Sequence, residues 1–349
     1  MSKSLHAAAF EGDTATVAWM LADGQDPNAP GDQNYSALHE AAQSGHKDII
    51  RLLLAAGANS NAQDDYKCTA LHEAARYGHA QICKDLLDAG VPVDVKGFEG
   101  RTPLHYAAMQ ANIDAMDVLI KAGANVDAPA LYQAKGDELR RYLSGATPLH
   151  MACSEGSILG KDKPTQVYVD AATKLLDAGA DVNASERCIS SGLAFVDINI
   201  DHNVRKSWDV RPIHMAKSAE MVNCLAAHDA KLDGGVEWSC KLYPGSKHID
   251  YGSPSPIRHM VANGLEEAAI ALLANGAELD TKDKAVITPS LVADMEGRLL
   301  KRATIAHAGS WSPDPKEADA QFDRRFAEAT AQCQGVEHQQ QQTKARMRL

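Results

Sequence analysis

Histidine and cysteine are the residues of this chain that could bind a metal ion or act as nucleophiles. The 349 residues include 14 His and 7 Cys. Cys224 and His228 are four residues apart, which would place both on one helix face, and Cys240 and His248 follow. Zinc sites are usually anchored by a close pair of cysteines, which this set lacks. Because Cys also packs as a small hydrophobe, we expect no metal site and no cofactor.

One cysteine has a neighbour that could activate it. Cys153 follows His150 by three residues, the pairing that a thiol nucleophile needs. The chain has no nucleophile elbow, phosphate-binding loop, zinc-protease motif or dinucleotide fingerprint. We therefore expect Cys153 to pack inside a helix, and the sequence predicts no catalytic residue.

A fixed spacing positions most of the histidines. A Leu-His pair recurs every 33 residues, and a glycine recurs at the same interval further along each unit. The four pairs end at His6, His39, His72 and His105, and the glycines are Gly24, Gly57, Gly90 and Gly123. The fullest copy, residues 100–108, reads Gly-Arg-Thr-Pro-Leu-His-Tyr-Ala-Ala. Thr followed by Pro favours a helix start, and glycine after an apolar stripe favours a helix end.

This pattern resembles the ankyrin repeat, whose period is 33 and whose signature is T-P-L-H-x-A. The resemblance is strong over residues 1–184 and weak over 205–300. It implies an all-α solenoid of about seven helix-turn-helix repeats joined by hairpin fingers. It also implies that eight histidines have hydrogen-bonding or packing roles: His6, His39, His72, His105, His150 and His214 in the Leu-His position, and His46 and His79 after a glycine.

The period is interrupted after the fourth repeat. Leu104 and Leu149 are 45 residues apart instead of 33, so 12 extra residues fall within 129–144. Further insertions occupy residues 157–166, 185–209 and 233–254, and we expect the last two, which carry aromatic residues, to be ordered against the concave side. The late repeats begin at Arg211 and Ser255, the latter with Arg258 in the histidine position, and a degenerate eighth repeat begins at Thr288.

These features predict four segments. Residues 1–184 hold about five regular repeats, and residues 185–305 hold degenerate repeats with long fingers. Residues 306–333 carry apolar side chains at helical spacing and are predicted to cap the stack: Ala318, Phe322, Phe326, Ala329 and Cys333. The Gln-rich, basic residues 334–349 are predicted to be a disordered tail.

Aromatic residues are concentrated where ankyrin arrays recognise partners, on the fingers and the exposed side of each first helix. Five of them fall at these positions in repeats two to four, in a chain that is only 5% aromatic. Tyr, Arg and Met are typical of binding hot spots. The predicted partner-binding residues are Tyr35, Tyr66, Tyr77, Phe98, Arg101, Tyr106, Met109 and Trp208. The alternative is that these aromatic residues pack against neighbouring fingers.

Charge and composition exclude several function classes. The net charge is −11, which disfavours binding to nucleic acid or anionic membranes. Residues 1–128 contain 17 acidic and 9 basic side chains, so a partner with a basic patch is favoured. Neither a signal peptide nor an 18-residue apolar stretch is present. The scattered cysteines indicate a reducing cytosol, either of the cell that makes the protein or of a host cell.

The sequence thus predicts a non-enzymatic protein-protein interaction module that binds its partner across the concave face. Two alternatives stay open. The first is an adaptor or secreted effector whose irregular half recruits a second protein. The second is an enzyme with an unrecognised site in residues 185–333.

Overall fold

The computed structural model describes residues 3–130, 145–154, 163–190, 206–233, 255–257, 260 and 264–277. The chain divides into two compact units, Met1–Glu186 and Arg187–Leu349. The described parts of both units consist mostly of short α-helices, as predicted from the repeat.

The described part of the first unit contains five helix pairs, one for each sequence repeat. The pairs are α1 (Leu5–Glu11) with α2 (Thr14–Ala22), α3 (Ala37–Ser44) with α4 (Lys47–Ala55), α5 (Ala70–Tyr77) with α6 (Ala80–Asp88), α7 (Pro103–Met109) with α8 (Ile113–Lys121), and α9 (Pro148–Cys153) with α10 (Thr165–Asp177). The first helices pack in series, α1 on α3, α3 on α5, α5 on α7 and α7 on α9. We call the segment that enters each first helix a finger.

In the first unit, helices α3, α5, α7 and α9 begin at a reciprocal cap. In α5 the backbone N–H of Thr69 donates to Nδ1 of His72, and the helix ends at Gly78 in the left-handed conformation, φ 80°. Ser36 and Thr102 start α3 and α7 in the same way. The Thr-Pro-Leu-His signature is therefore a helix-start signal, since it satisfies N–H groups that a helix leaves without partners.

The second helices supply the core between repeats. Ile49, Ile50 and Leu53 are buried on α4, and Ile82 and Leu86 repeat the pattern on α6. A single helix pair could not bury this stripe alone, so stacking buries it against the next repeat. Past each second helix the predicted glycine has positive φ, for example 86° at Gly57, where a Cβ would be strained.

The insertion after repeat four leaves the stack in register. Ala130 and Ala146 form an antiparallel bridge, in which the Ala130 N–H donates to the Ala146 carbonyl over 2.8 Å. The following helix α9 then packs on α7 as in the regular repeats.

The second unit is described in part. Strands β1 (Glu186–Ser190) and β2 (Lys206–Val210) pair in a two-stranded sheet, and helices α11 (Pro212–Met215), α12 (Ala219–Ala227) and α13 (Glu266–Ala274) follow. Helix α12 packs on α11 and on α13. Arg211 stands where the earlier repeats have Thr or Ser, and its guanidinium donates to the carbonyls of Lys231 and Asp233.

Several predicted features lie outside the described residues. They are the eighth repeat, the capping helix of residues 306–333, the tail of residues 334–349 and most of the inserted fingers. Within the part of the chain that the structure describes, no helix is long and apolar enough to cross a membrane.

Candidate functional site

The fingers and first helices of repeats two to four form one surface, which we call the inner face. It carries Tyr35, Glu40, Tyr66, Glu73, Tyr77 and Phe98. Buried Asp64 shapes the middle finger, because its carboxylate accepts hydrogen bonds from the backbone N–H groups of Tyr66 and Cys68. This turn points the Tyr66 side chain outward.

Tyr66 and Phe98 form an exposed aromatic pair on adjacent fingers. Their ring centroids lie 5.7 Å apart in a T-shaped arrangement. Tyr66 is 51% exposed and Phe98 is 40% exposed. An edge-to-face pair is favourable by itself, yet much of both rings stays in contact with solvent. The pair therefore forms an exposed, mainly apolar surface.

A chain of hydrogen bonds links three more inner-face side chains across two repeats. The Tyr35 hydroxyl donates to Oε1 of Gln43 over 2.9 Å, and Nε2 of Gln43 donates to the Tyr77 hydroxyl over 3.2 Å. Tyr77 is 47% exposed, and the Arg76 guanidinium lies 5.8 Å from its ring centroid. The chain holds the Tyr77 ring in place without covering it.

Tyr106 and Met109 lie deeper than the other predicted contact residues. Tyr106 is 6% exposed and Met109 is 8% exposed. The Tyr106 ring packs edge-on against His72, and its hydroxyl lies 3.7 Å from Sγ of Cys68. Their burial leaves them little surface for a partner, so they support the finger from below.

The two remaining predicted residues lie on a finger and in the second unit. Arg101 is half-buried at the end of the finger that carries Phe98, and its guanidinium pairs with Glu99 over 2.7 Å. Trp208 lies on strand β2, and its side chain is outside the described part of the structure.

Two carboxylates on the inner face fall at recognition positions of the repeat but are not among the predicted partner-binding residues. Glu40 and Glu73 occupy the position after the repeat histidine in α3 and α5. Burial raises the pKa of both carboxyls, and nearby Asp64 and Glu40 raise the pKa of Glu73 further. A Glu directly after each of two successive Leu-His pairs was the available signal, but its burial depends on the neighbouring finger.

The repeat histidines are structural, as the resemblance implied. Nδ1 of His72 accepts the Thr69 N–H, so the proton must reside on Nε2, which donates to the Arg101 carbonyl over 3.2 Å. Burial lowers the pKa of His72 to about 4. His39 and His105 form the same links, to the carbonyls of Cys68 and Ala146. Each ring thereby joins a first helix to the next finger.

Cys153, His150 and Cys224, which were considered for nucleophilic or metal chemistry, lie inside helices. Cys153 and His150 are both fully buried in α9, where Nδ1 of His150 accepts the Thr147 N–H. In the second unit, Nδ1 of His228 hydrogen-bonds the Cys224 carbonyl over 2.8 Å, while Cys240 and His248 are outside the described residues. Among the described residues, no group of three or more His, Cys, Asp or Glu could hold a metal ion.

One open cleft of about 420 Å³ lies between α8 and α10, on the second helices. Its lining includes Asp117, whose carboxylate pairs with Lys174 over 2.6 Å. Asp170 and Asp177 also line the cleft, so its lining carries more acidic than basic side chains.

Paired helices in series, with fingers projecting from one side, define the class of helical repeat proteins. Within that class, a family profile described as ankyrin repeats (3 copies) matches residues 5–97 and 90–186. The chain therefore belongs to the ankyrin repeat family, and the predicted all-α ankyrin solenoid is confirmed.

The fold is also similar to a solved structure, the crystal structure of the human ASB11 ankyrin repeat domain. The two share 23% sequence identity with a TM-score of 0.54, over 80% of this chain and 100% of that chain. At this identity the similarity shows the fold alone. No curated protein matches the chain. Ankyrin repeats generally serve as protein-protein interaction modules and are generally not enzymes.

Proposed function

We propose that this chain is a non-catalytic binding module that holds a partner protein with a basic patch against the inner face of repeats two to four. The observation that carries the proposal is the exposed pair of Tyr66 and Phe98, together with the exposed Tyr77 on α5. Aromatic residues anchored in this way are the usual hot spots of protein interfaces.

Charge supports the nature of the partner. The first 128 residues carry eight more acidic than basic side chains, since 17 are acidic and 9 are basic. A field of that sign accelerates encounters with a basic surface, and salt screens it. We expect the association rate to fall when NaCl is raised from about 50 to about 500 mM, with a smaller change in the dissociation rate.

The cysteines indicate the cellular compartment in which the protein acts. Cys68 and Cys83 are free, buried thiols in the described structure, which supports a reducing environment such as the cytosol. We therefore look for the partner among cytosolic proteins.

Site-specific crosslinking tests the proposal in the cell. A photo-crosslinking amino acid replaces Phe98 in one strain and Asp88, exposed on outer helix α6, in a second strain. Adducts with a discrete protein are expected at position 98 and not at position 88. The protein recovered is then purified, and its affinity is measured for the wild type and for Tyr66→Ala/Phe98→Ala.

The double variant is expected to bind about 100-fold more weakly, because truncation of each hot-spot ring costs about 1–2 kcal/mol. The control is Lys84→Ala/Asp88→Ala on the outer side of α6, which should bind as the wild type does. Equal affinity of Tyr66→Ala/Phe98→Ala and the wild type would reject the placement of the site.

A second candidate is an adaptor, favoured by the division of the chain into two compact units. In that case the full chain holds two proteins at once, and Tyr66→Ala/Phe98→Ala releases only one of them. Loss of both proteins from this variant would contradict the adaptor.

A further inference from the structure

The fingers of repeats two and four close with the same hydrogen bond. In repeat two the Tyr35 N–H donates to the Asp32 carbonyl over 3.0 Å, and in repeat four the Arg101 N–H donates to the Phe98 carbonyl over 3.1 Å. We call the three residues at the turn of each finger its tip: 32–34, 65–67 and 98–100. In both of these fingers the acceptor is therefore the main-chain carbonyl of the first tip residue.

The finger of repeat three uses a side chain as the acceptor instead. The Cys68 N–H, which corresponds to that of Arg101, donates to the Asp64 carboxylate over 2.7 Å, and the Tyr66 N–H donates to the same oxygen over 2.9 Å. Where Asp64 lies, the neighbouring fingers have Gly31 and Gly97. These glycines leave no room for an aspartate, since a Cβ at Gly31 would lie 2.3 Å from the carbonyl oxygen at position 35. The three fingers thus contain two kinds of turn.

The turn of repeat three allows an aromatic residue at the middle position of the tip. In the other two fingers this position is left-handed, with φ 55° at Gln33 and φ 56° at Glu99. Tyr66 occupies the same position but has a negative φ. Bulky side chains are rare in the left-handed region, so the turn of the neighbouring fingers would strain Tyr66. The Asp64 carboxylate therefore favours a turn into which a tyrosine fits.

The change of turn also accounts for which two rings meet. Phe98 corresponds to Asp65, one position before Tyr66, because the repeat period is 33. Stacked fingers with identical turns would bring equivalent positions side by side, which would set Tyr66 beside Glu99. The ring centroids of Tyr66 and Phe98 are instead 5.7 Å apart. Contact between non-equivalent positions is what a different turn in one of the two fingers produces.

We propose that Asp64 is the positioning residue of the inner face: its carboxylate selects the turn that sets Tyr66 against Phe98, and the partner protein binds this arrangement of the two rings. Asp64 is only 9% exposed, so it acts through Tyr66 and not by touching the partner. The inference rests on the proposed function and deepens it, since it names the residue on which the shape of the aromatic site depends.

The first test needs no partner. Asp64→Gly gives this finger the residue of its neighbours, whereas Asp64→Asn keeps an oxygen that can accept both N–H groups. NMR of the full chain with labelled Tyr and Phe should show cross-peaks between the Tyr66 and Phe98 rings in the wild type and in Asp64→Asn, but not in Asp64→Gly. Cross-peaks that persist in Asp64→Gly, or that disappear in Asp64→Asn as well, would overturn the inference. Tyr66→Ala and Phe98→Ala identify the signals.

The second test measures affinity for the protein recovered by crosslinking at position 98. Asp64→Gly should bind about tenfold more weakly than the wild type, because a misplaced hot-spot ring loses much of its contact, and Asp64→Asn should stay within about threefold. The control Asp127→Gly makes the same substitution at a carboxylate that accepts the backbone N–H of Asp181, outside the inner face. It should change affinity by less than about twofold. Both Asp64 variants lose one negative charge, so a loss confined to Asp64→Gly does not come from charge.

A combined variant separates positioning from other effects of Asp64. In Tyr66→Ala/Phe98→Ala, the further change Asp64→Gly should alter affinity by less than about twofold, because the rings that it positions are gone. A tenfold further loss, or equal affinity of Asp64→Gly and the wild type, would overturn the inference and leave the proposed function standing. Wild-type affinity of Tyr66→Ala/Phe98→Ala would refute the proposed function itself. Circular dichroism and thermal unfolding establish that each variant is folded.

Discussion

The inner and outer sides of the first unit have different relationships between charge and burial. On the outer side, Arg51 and Asp85 form a partly exposed ion pair. On the inner side, Glu73 is buried without an ion pair, while the rings of Tyr66 and Phe98 are exposed. On the outer side, charged groups face solvent and pair with each other. The inner side has a buried carboxylate and exposed aromatic rings, a combination typical of surfaces that bind another molecule.

The two sides should differ most in how much a lost hydrogen bond destabilises the fold. His72→Ala removes the cap of α5 and the link to the Arg101 carbonyl, and leaves a cavity in a buried position. We expect a loss of about 3 kcal/mol in the free energy of unfolding. Arg51→Ala removes an exposed ion pair and should cost less than about 1 kcal/mol. Urea unfolding measures the free energy of unfolding of each variant. Similar losses in the two variants would show that the two sides contribute equally to stability.

The buried imidazole rings of His72 and His105 predict that the stability of the fold depends on pH. Burial lowers the pKa of His72 to about 4 and that of His105 to about 3, against 6.5 for the unperturbed group. The unfolded chain binds more protons between these values, so the free energy of unfolding falls as the pH falls below about 6.5. At pH 5 each ring should account for a loss of about 2 kcal/mol. Protonation of Glu40 and Glu73, whose pKa values are raised, opposes this loss.

NMR signals of the histidine rings separate the histidine contribution to this pH dependence from that of the carboxylates. In the folded protein the NMR signals of His72 and His105 should not titrate between pH 7 and pH 5, whereas in urea they should titrate near 6.5. Titration of the folded rings near 6.5 would contradict the buried neutral form.

A smaller effect of opposite sign is expected at Glu73. Glu73→Gln keeps the shape of the side chain and removes a buried charge, so it should raise the free energy of unfolding by about 1 kcal/mol at pH 7. Asp85→Asn, on the outer side, should lower it by less than about 1 kcal/mol, because this carboxylate has a partner in Arg51. Thermal unfolding of the two variants provides the comparison. A loss of stability in Glu73→Gln would mean that the carboxylate has a structural role.

The repeat itself could be predicted from the sequence because its signals are local. Thr69 with His72 marks a helix start, and Gly57 marks a helix end whose backbone needs positive φ. These signals depend on residues three or four positions apart, so they survive without knowledge of the fold. The histidine roles followed from the same pattern, and the structure adds the carbonyls to which the rings are bound.

The inner face was predictable only in outline. The sequence placed Tyr66, Phe98 and Tyr106 on one recognition surface, but the structure exposes the first two and buries the third. Burial at these positions depends on neighbouring repeats that are distant in the sequence: Tyr66 meets Phe98 of the next finger, whereas Tyr106 packs on His72 and Cys68 of the preceding repeat. The same long-range dependence explains why Glu73 resembled an ordinary solvated helix residue.

The bridge between Ala130 and Ala146 makes the finger of repeat five a suitable site for inserting extra residues. Because the two strands of chain meet there, the segment between them can change length while the helices beneath keep their places. The entropic penalty of a longer segment grows only with the logarithm of its length. We expect that a fluorescent reporter or a second recognition module could be inserted at this position without disrupting the helix stack.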